Sequence, residues 1–341
     1  MKKKIRVLVV DDSRVFREVL TNGISSDPDI EVVATAKDAF DARNKIVIYK
    51  PNVIICDVVM PKMSGIEFVQ KLIPQYPIPV IIVTSISKSV FDAIKAGAVD
   101  FITKPDFRYS TSAEDFIIEL ISKIKTASNA KVSPWKSERF FKKKNIIHND
   151  TSDRIIALGA STGGTQAINY VLSQLPDTIP GFVVVQHIPP VFSSMFAERL
   201  NNTTPLKVKE AQTGDYIEKG HVFIAPGDKH MKIKKVGEKY KIYCFEGERV
   251  SGHCPSVDVL FQSVAEEAGD KAIGVILTGM GSDGAKGMLS MRRKGARTIG
   301  QDEESCVVYG MPKVAFNMGA VEKQVPLKDI PQEILSILTE K

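Results

Sequence analysis

The chain is short of cysteine and has no long apolar run, and both shortages narrow what it can be. Its 341 residues include four cysteines, Cys56, Cys244, Cys254 and Cys306. They show neither the C-x-x-C spacing of a zinc or redox site nor the density of a disulfide scaffold, which points to a reducing cytoplasm. His253 beside Cys254 raises the idea of a metal site. Neighbours in sequence rarely converge on one ion, and no second ligand pair stands at zinc spacing, so buried or incidental thiols are the expectation. No apolar stretch approaches the roughly 18 residues needed to span a bilayer. The lysine-led N-terminus is apolar only from Ile5 to Val10 before Asp11 and Asp12 interrupt it. A soluble cytoplasmic chain is expected, with no secretory signal and no membrane insertion.

Tryptophan occurs once, at Trp135, inside a segment that departs from the rest. The net charge is +6, yet between Lys131 and Lys144 stand six basic residues and one acid, so the remainder of the chain is close to neutral. That segment contains Ser133 and Pro134 and has no sustained helical or strand period, so residues 127–151 read as a basic connector. It would join a domain over residues 1–126 to another over 152–341, two being the number that this length suits. Trp135, Phe140 and Phe141 could stack on nucleic-acid bases. A solvated connector that docks on its own protein is the preferred reading, and no nucleic-acid partner is expected.

From Ile5 to about Thr126, apolar strand runs (IRVLVV, EVVATA, NVIICD, PVIIVTS, DFITKP) alternate with helical patterns. Continuous Val/Ile runs fit strands buried on both faces, so a doubly wound, five-stranded parallel sheet is expected. Ligands in such sheets bind beyond the C-terminal strand ends, and polar residues stand at those ends: Asp11 and Asp12, Asp57, Thr84 and Lys104. Three converging carboxylates repel each other unless a cation intervenes. Mg²⁺ held by Asp11, Asp12 and Asp57 would relieve that repulsion and bridge to a phosphoryl oxygen, with Lys104 and Thr84 on the other oxygens. Asp57 is then the phosphate acceptor. Singly, each of these residues could be a cap or a surface charge. The segment resembles the receiver domain of two-component response regulators, with Asp57-Val58-Val59-Met60-Pro61 and Lys104-Pro105 in the family pattern. The resemblance implies phosphorylation of Asp57 by a histidine kinase, and coupling through Thr84 and an aromatic on the fifth strand, Phe101, to an output.

A second α/β pattern begins near Ser152 and contains RIIALGASTGG, where an apolar strand stops at Ser161 among small residues. A tight strand-to-helix turn of this kind holds up a serine as a nucleophile. The alternative is a phosphate loop, because Gly159, Ser161 and Gly164 nearly trace G-x-G-x-x-G. Serine replaces the middle glycine, however, and the next strand, GFVVVQHI, ends in Gln186 and His187 where a ribose-binding acid would stand. A third strand, AIGVILTG, runs into Met280-Gly281-Ser282-Asp283. Ser161, His187 and Asp283 at one sheet edge would be nucleophile, base and orienter. The order Ser, His, Asp differs from that of α/β-hydrolases, so that fold is not assumed. Blander readings exist: Asp283 could cap the helix that follows it, and His187 could be structural. His221, His230 and His253 compete for the base role, with His253 placed to line a cleft, and His148 falls in the connector. KIKKVGEKYKIYCF predicts a β-hairpin insertion, and with it a mixed, mainly parallel sheet.

Across both halves the sequence resembles the CheB family of chemotaxis protein-glutamate methylesterases and glutamine deamidases. GASTGG, VVVQHIPP, IAPGDKH, PSVDVLF, ILTGMGSDGAKGM and YGMPKVA carry the likeness in order. It implies phosphorylation-regulated hydrolysis of γ-methyl glutamyl esters on the cytoplasmic helices of chemoreceptors, with release of methanol, and deamidation of receptor glutamines. It further implies the triad Ser161, His187 and Asp283, backbone oxyanion donors at Thr162 and Met280, and no cofactor in the catalytic domain. A receiver joined to a DNA-binding half is the rival, but no recognition helix with basic residues on one face is found.

Overall fold

The computed structural model describes residues 3–85, 89–105, 110–132 and 154–340. The chain divides into two compact units, residues 1–137 and 138–341. Residues 133–151 of the expected connector, with Trp135, Phe140, Phe141 and His148, lie outside the described residues.

In the first unit five strands alternate with five helices: β1 (Ile5–Val10), α1 (Arg14–Ile24), β2 (Ile30–Ala36), α2 (Ala39–Tyr49), β3 (Val53–Asp57), α3 (Gly65–Leu72), β4 (Val80–Thr84), α4 (Val90–Ala96), β5 (Asp100–Thr103) and α5 (Ser110–Ala127). The sheet order is β2-β1-β3-β4-β5, parallel throughout. The Val/Ile runs of β1, β3 and β4 are shut off from solvent because helices cover both faces. Helix starts follow from short polar side chains. Ser13 accepts from the Phe16 N–H, Asp38 from the Asp41 N–H, and Ser64 forms a reciprocal capping box with Glu67. The strand order reverses direction between β1 and β3, and this opens a crevice at their C-terminal ends, where Asp11 and Asp57 stand.

The second unit continues with β6 (Ile155–Ala160), α6 (Gly164–Ser173), β7 (Gly181–Gln186), α7 (Phe192–Thr203), β8 (Lys207–Glu210), β9 (His221–Ile224), β10 (His230–Val236), β11 (Lys239–Phe245), α8 (Val257–Glu267), β12 (Ala272–Ile276), α9 (Ala285–Arg293), β13 (Arg297–Gln301), α10 (Met311–Asn317), β14 (Lys323–Val325) and α11 (Ile330–Thr339). Seven strands form one sheet in the order β14-β13-β12-β6-β7-β9-β8. Every pairing in it is parallel. The hairpin forms as expected between β10 and β11 but makes a two-stranded antiparallel sheet of its own, so the main sheet is not mixed. The cause is lateral. Helix α8 packs against β10 as well as against β6 and α9, so the hairpin extends the hydrophobic layer over the sheet instead of joining its edge. Ser263 of α8 fastens it by accepting from the Ile233 N–H at 3.1 Å. The chain leaves β6 toward β7 on one side and returns through β12 on the other. β6 therefore lies at the switch point, flanked by the ends of β7 and β12.

Candidate active site

Ser161 follows the last residue of β6, and both neighbouring strands hold its backbone. Its N–H donates to Thr278 O at 3.0 Å beyond β12. Its carbonyl accepts from Gln186 Nε2 at 2.9 Å at the end of β7. The turn closes through the Gly164 N–H on Ser161 O at 2.7 Å, with Gly163 at φ +79° just before α6. That left-handed backbone is cheap only for glycine. Gly279 is glycine for a different reason: a Cβ there would fall 2.7 Å from Ser161 Cβ and 2.5 Å from Met311 Sδ. Thr278 pins the loop further, donating its hydroxyl to Thr162 O at 3.0 Å while its own N–H donates to Gln301 Oε1 at 2.8 Å. Gln186, Ser256 and Thr278 were not among the expected site residues. The signal was there in Gln186 and Thr278, each a polar residue ending an apolar strand run.

The structure brings His187 and Asp283 together, with His187 Nε2 2.8 Å from Asp283 Oδ2. Asp283 is 1% exposed and accepts from three further donors: Ser256 Oγ at 2.7 Å, the Val257 N–H at 2.7 Å and the Asp258 N–H at 3.0 Å. Those two amides open α8, so the carboxylate sits at the positive end of that helix. The blander reading placed Asp283 as the cap of the helix after it. Its side chain instead serves α8, while Gly284 occupies the N-cap of α9 and Asp258 of α8 accepts from the Gly287 N–H of α9 at 2.8 Å. The two helices thus exchange acidic caps. Burial alone would push the Asp283 carboxyl up; the His187 hydrogen bond and charge, the Asp258 amide and the Ser256 hydroxyl outweigh it and hold it below the usual carboxylate range. Burial, together with the Asp283 charge, pushes Asp258 up.

With Asp283 ionised and accepting from every side, the nitrogen facing it must carry a proton. The neutral His187 imidazole then has its lone pair on Nδ1, which is shut off from solvent and has no hydrogen-bond partner among the described residues. His187 and Ser161 occupy adjacent strand ends, and the His187 N–H donates to Ala160 O at 3.2 Å. Thr162 is buried beside Ser161, and Met280, 44% exposed, follows Gly279 in the loop after β12. The competing histidines separate clearly. His230 spends both nitrogens structurally, Nε2 2.8 Å from Glu248 O and Nδ1 accepting from the Ser256 N–H at 3.3 Å. His221 begins β9, at the opposite end of the sheet, with Nδ1 3.0 Å from Lys219 O. His253 stacks on His187, ring centroids 3.6 Å apart and planes 12° from parallel.

In the first unit Lys104 Nζ bridges Asp11 Oδ2 at 2.9 Å and Asp57 Oδ2 at 2.8 Å. Asp57 Oδ1 accepts from the Val58 N–H at 2.8 Å. Burial pushes the Asp57 carboxyl up against the opposing pull of Lys104. Lys104 is lowered by burial but raised more by its two carboxylate partners, and its net shift is upward. Oxygens of Asp11, Asp12 and Asp57 lie within 4.8 Å of one another, Asp12 being the exposed member. An all-oxygen, net-negative set of this kind suits a hard divalent cation. Thr84 and Phe101 are buried at the ends of β4 and on β5. All four cysteines are free. Cys56 and Cys306 are buried, and burial pushes the Cys244 thiol up to about 11. No described helix is long and apolar enough to cross a membrane.

Two family descriptions match the chain: CheB methylesterase over residues 156–334 and response regulator receiver domain over residues 7–109. A protein-glutamate methylesterase/protein-glutamine glutaminase 2 of Syntrophomonas wolfei is 52% identical over 342 residues, covering 99% of this chain and 99% of that protein. A protein-glutamate methylesterase/protein-glutamine glutaminase of Salmonella typhimurium is 45% identical over 340 residues, 98% of this chain and 97% of the other. Among solved structures, the Thermotoga maritima CheB methylesterase catalytic domain is 38% identical and superposes with a TM-score of 0.53, covering 54% of this chain and 98% of that one.

Proposed function

The chain belongs to the CheB methylesterase family, with a receiver domain ahead of the esterase domain, and on that premise we propose that it hydrolyses glutamate γ-methyl esters on chemoreceptors under control of phosphorylation. The same site deamidates receptor glutamines, for adaptation in bacterial chemotaxis. The observation that carries the reading is the His187–Asp283 pair. A buried carboxylate saturated with donors fixes the imidazole tautomer and leaves one basic nitrogen at the strand end next to Ser161.

Ser161 Oγ attacks the side-chain carbonyl as His187 Nδ1 takes its proton, and Asp283 stabilises the imidazolium that results. The backbone N–H groups at Thr162 and Met280 hold the oxyanion. The imidazolium returns its proton to the departing oxygen, which leaves as methanol, or to nitrogen, which leaves as ammonia from a glutamine. Water then gives a proton to His187, attacks the glutamyl-serine ester and frees a glutamate side chain and the Ser161 hydroxyl. In the receiver, Asp57 accepts the phosphoryl group from a histidine kinase. Lys104 and Thr84 bind its oxygens, and Phe101 with Thr84 transmits the change. Asp11, Asp12 and Asp57 would hold Mg²⁺, which neutralises phosphoryl oxygens when bound. The substrate lies on the cytoplasmic helices of the receptor, so the enzyme works in the cytoplasm. Residues 127–151 connect a receiver of residues 1–126 to a catalytic domain of residues 152–341.

Methanol release from methylated receptor membranes tests the reading. Ser161→Ala should abolish it, and a small-molecule phosphodonor should raise it in the wild type but not in Asp57→Asn. Near-normal release by Ser161→Ala would overturn the nucleophile assignment.

A further inference from the structure

Asp283 fixes one point of the His187 ring, but a single hydrogen bond leaves the ring free to swing about that contact. Among the described residues Nδ1 finds no hydrogen-bond partner that would stop it. What lies against the ring face is His253, nearly parallel at a centroid separation of 3.6 Å. The backbone of His253 is itself fixed. Its N–H donates to Val250 O and its carbonyl accepts from the Val250 N–H, both at 3.0 Å. Three residues later the same strap supplies Ser256, Val257 and Asp258, the donors that clamp Asp283. One short segment, residues 250–258, therefore braces both the ring and its carboxylate partner.

We infer that His253 is a positioning residue for the esterase reaction: its ring sets the plane of His187 and so the direction in which Nδ1 meets the serine. The inference rests on the proposed triad. A stacked π face also favours the positive charge that His187 acquires as it accepts the serine proton. The contact with His187 is made by the flat ring, so phenylalanine should replace it and alanine should not.

Full-length His253→Ala and His253→Phe are compared with wild type in two assays. One is methanol release from methylated receptor membranes. The other is the rate of covalent labelling by a fluorophosphonate, which forms a serine–phosphorus bond, expels fluoride and passes the serine proton to His187, so it reports serine activation without a receptor. Loss of orientation is expected to lower kcat and the labelling rate in the alanine variant by about tenfold or more. KM should stay within about twofold, and the phenylalanine variant should recover to within about threefold. Melting temperatures of both variants are read in parallel. An alanine variant with wild-type kcat and labelling rate overturns the inference. So does a phenylalanine variant as impaired as alanine, an effect on KM alone, or losses that only follow the melting temperature. If wild type labels normally but releases no methanol, the esterase reading fails, while the labelling series still decides the role of His253.

Discussion

Replacing Asp283 by asparagine separates the orienting role of the carboxylate from its charge. The carboxylate accepts four hydrogen bonds, two on each oxygen: His187 Nε2 and the Val257 N–H on Oδ2, Ser256 Oγ and the Asp258 N–H on Oδ1. An asparagine must turn its NH2 toward one pair. Facing His187, it would oppose the Val257 N–H across 2.7 Å and force His187 to carry its proton on Nδ1, which removes the base. Facing Ser256, it opposes the Asp258 N–H across the longer 3.0 Å, and the serine hydroxyl can rotate to accept from it. The second orientation wins, so the His187 tautomer survives. What is lost is the difference between a charged and a neutral acceptor for the imidazolium, roughly 1–2 kcal/mol, or a fall in kcat of about 5- to 30-fold. Folding loses more. An unpaired buried N–H costs about 1–3 kcal/mol, and α8 loses the anion at its N-terminus, worth about 0.3–1 kcal/mol or more where buried. For a unit of this size the melting temperature should drop by roughly 5–10 °C. Asp283 is held below the usual carboxylate range in the folded state, so its stabilisation is present above that range and is lost as the pH falls through the folded value. The gap in melting temperature between wild type and variant should therefore narrow in acid. Steady-state methanol release and calorimetry at several pH values decide the matter. A kcat as low as that of Ser161→Ala would refute the tautomer argument, and an unchanged kcat would remove Asp283 from the mechanism.

Asp57 gives the opposite sign. Burial raises its folded-state carboxyl, so ionisation at neutral pH opposes folding, and Asp57→Asn should stabilise the receiver. Calorimetry in the presence of a chelator should show its transition a few degrees higher at pH 7, with the difference shrinking as the pH falls toward 4; a lower transition at pH 7 would contradict the burial argument. Gly279→Ala puts a methyl group 2.7 Å from Ser161 Cβ, so it should slow fluorophosphonate labelling by tenfold or more, the approximate scale of a small misplacement at a reacting centre. Its overpacking cost of about 1–3 kcal/mol should appear in denaturant unfolding. Labelling at the wild-type rate would mean that the close approach of the β6 and β12 loops is not needed to hold the serine.

Much of this architecture is written in local patterns. Val/Ile runs ending in Asp57, Ser161 or His187 announce buried parallel strands, and a parallel sheet collects its strand ends on one edge whatever the order of its strands. Residues far apart in the chain could therefore be grouped before any distance was known. Contacts made by a third element carry no such period. Nothing about the spacing of Asp283 and Ser256 says that the acid will serve α8 and not its own following helix α9, because that depends on how α8 and α9 lie against each other. The hairpin shows the same limit. Its turn at Gly237-Glu238 is local and legible, but its separation from the main sheet is decided by α8 packing on β10.

The choice of nitrogen on His187 follows from that third-element contact. Had Asp283 capped only α9, its oxygens would have been free to meet either imidazole nitrogen. Because α8 brings two amides and a hydroxyl to the carboxylate, it can only accept, and Nε2 must donate. In the proposed mechanism the base is then Nδ1, the nitrogen nearer the backbone, and Ser161 stands at the end of the neighbouring strand. The stacked ring of His253, carried by the strap that also supplies those three donors, would keep it there. Tautomer and ring plane thus share one origin in residues 250–258, and a substitution that loosens this strap should impair serine activation even where Ser161, His187 and Asp283 are all intact.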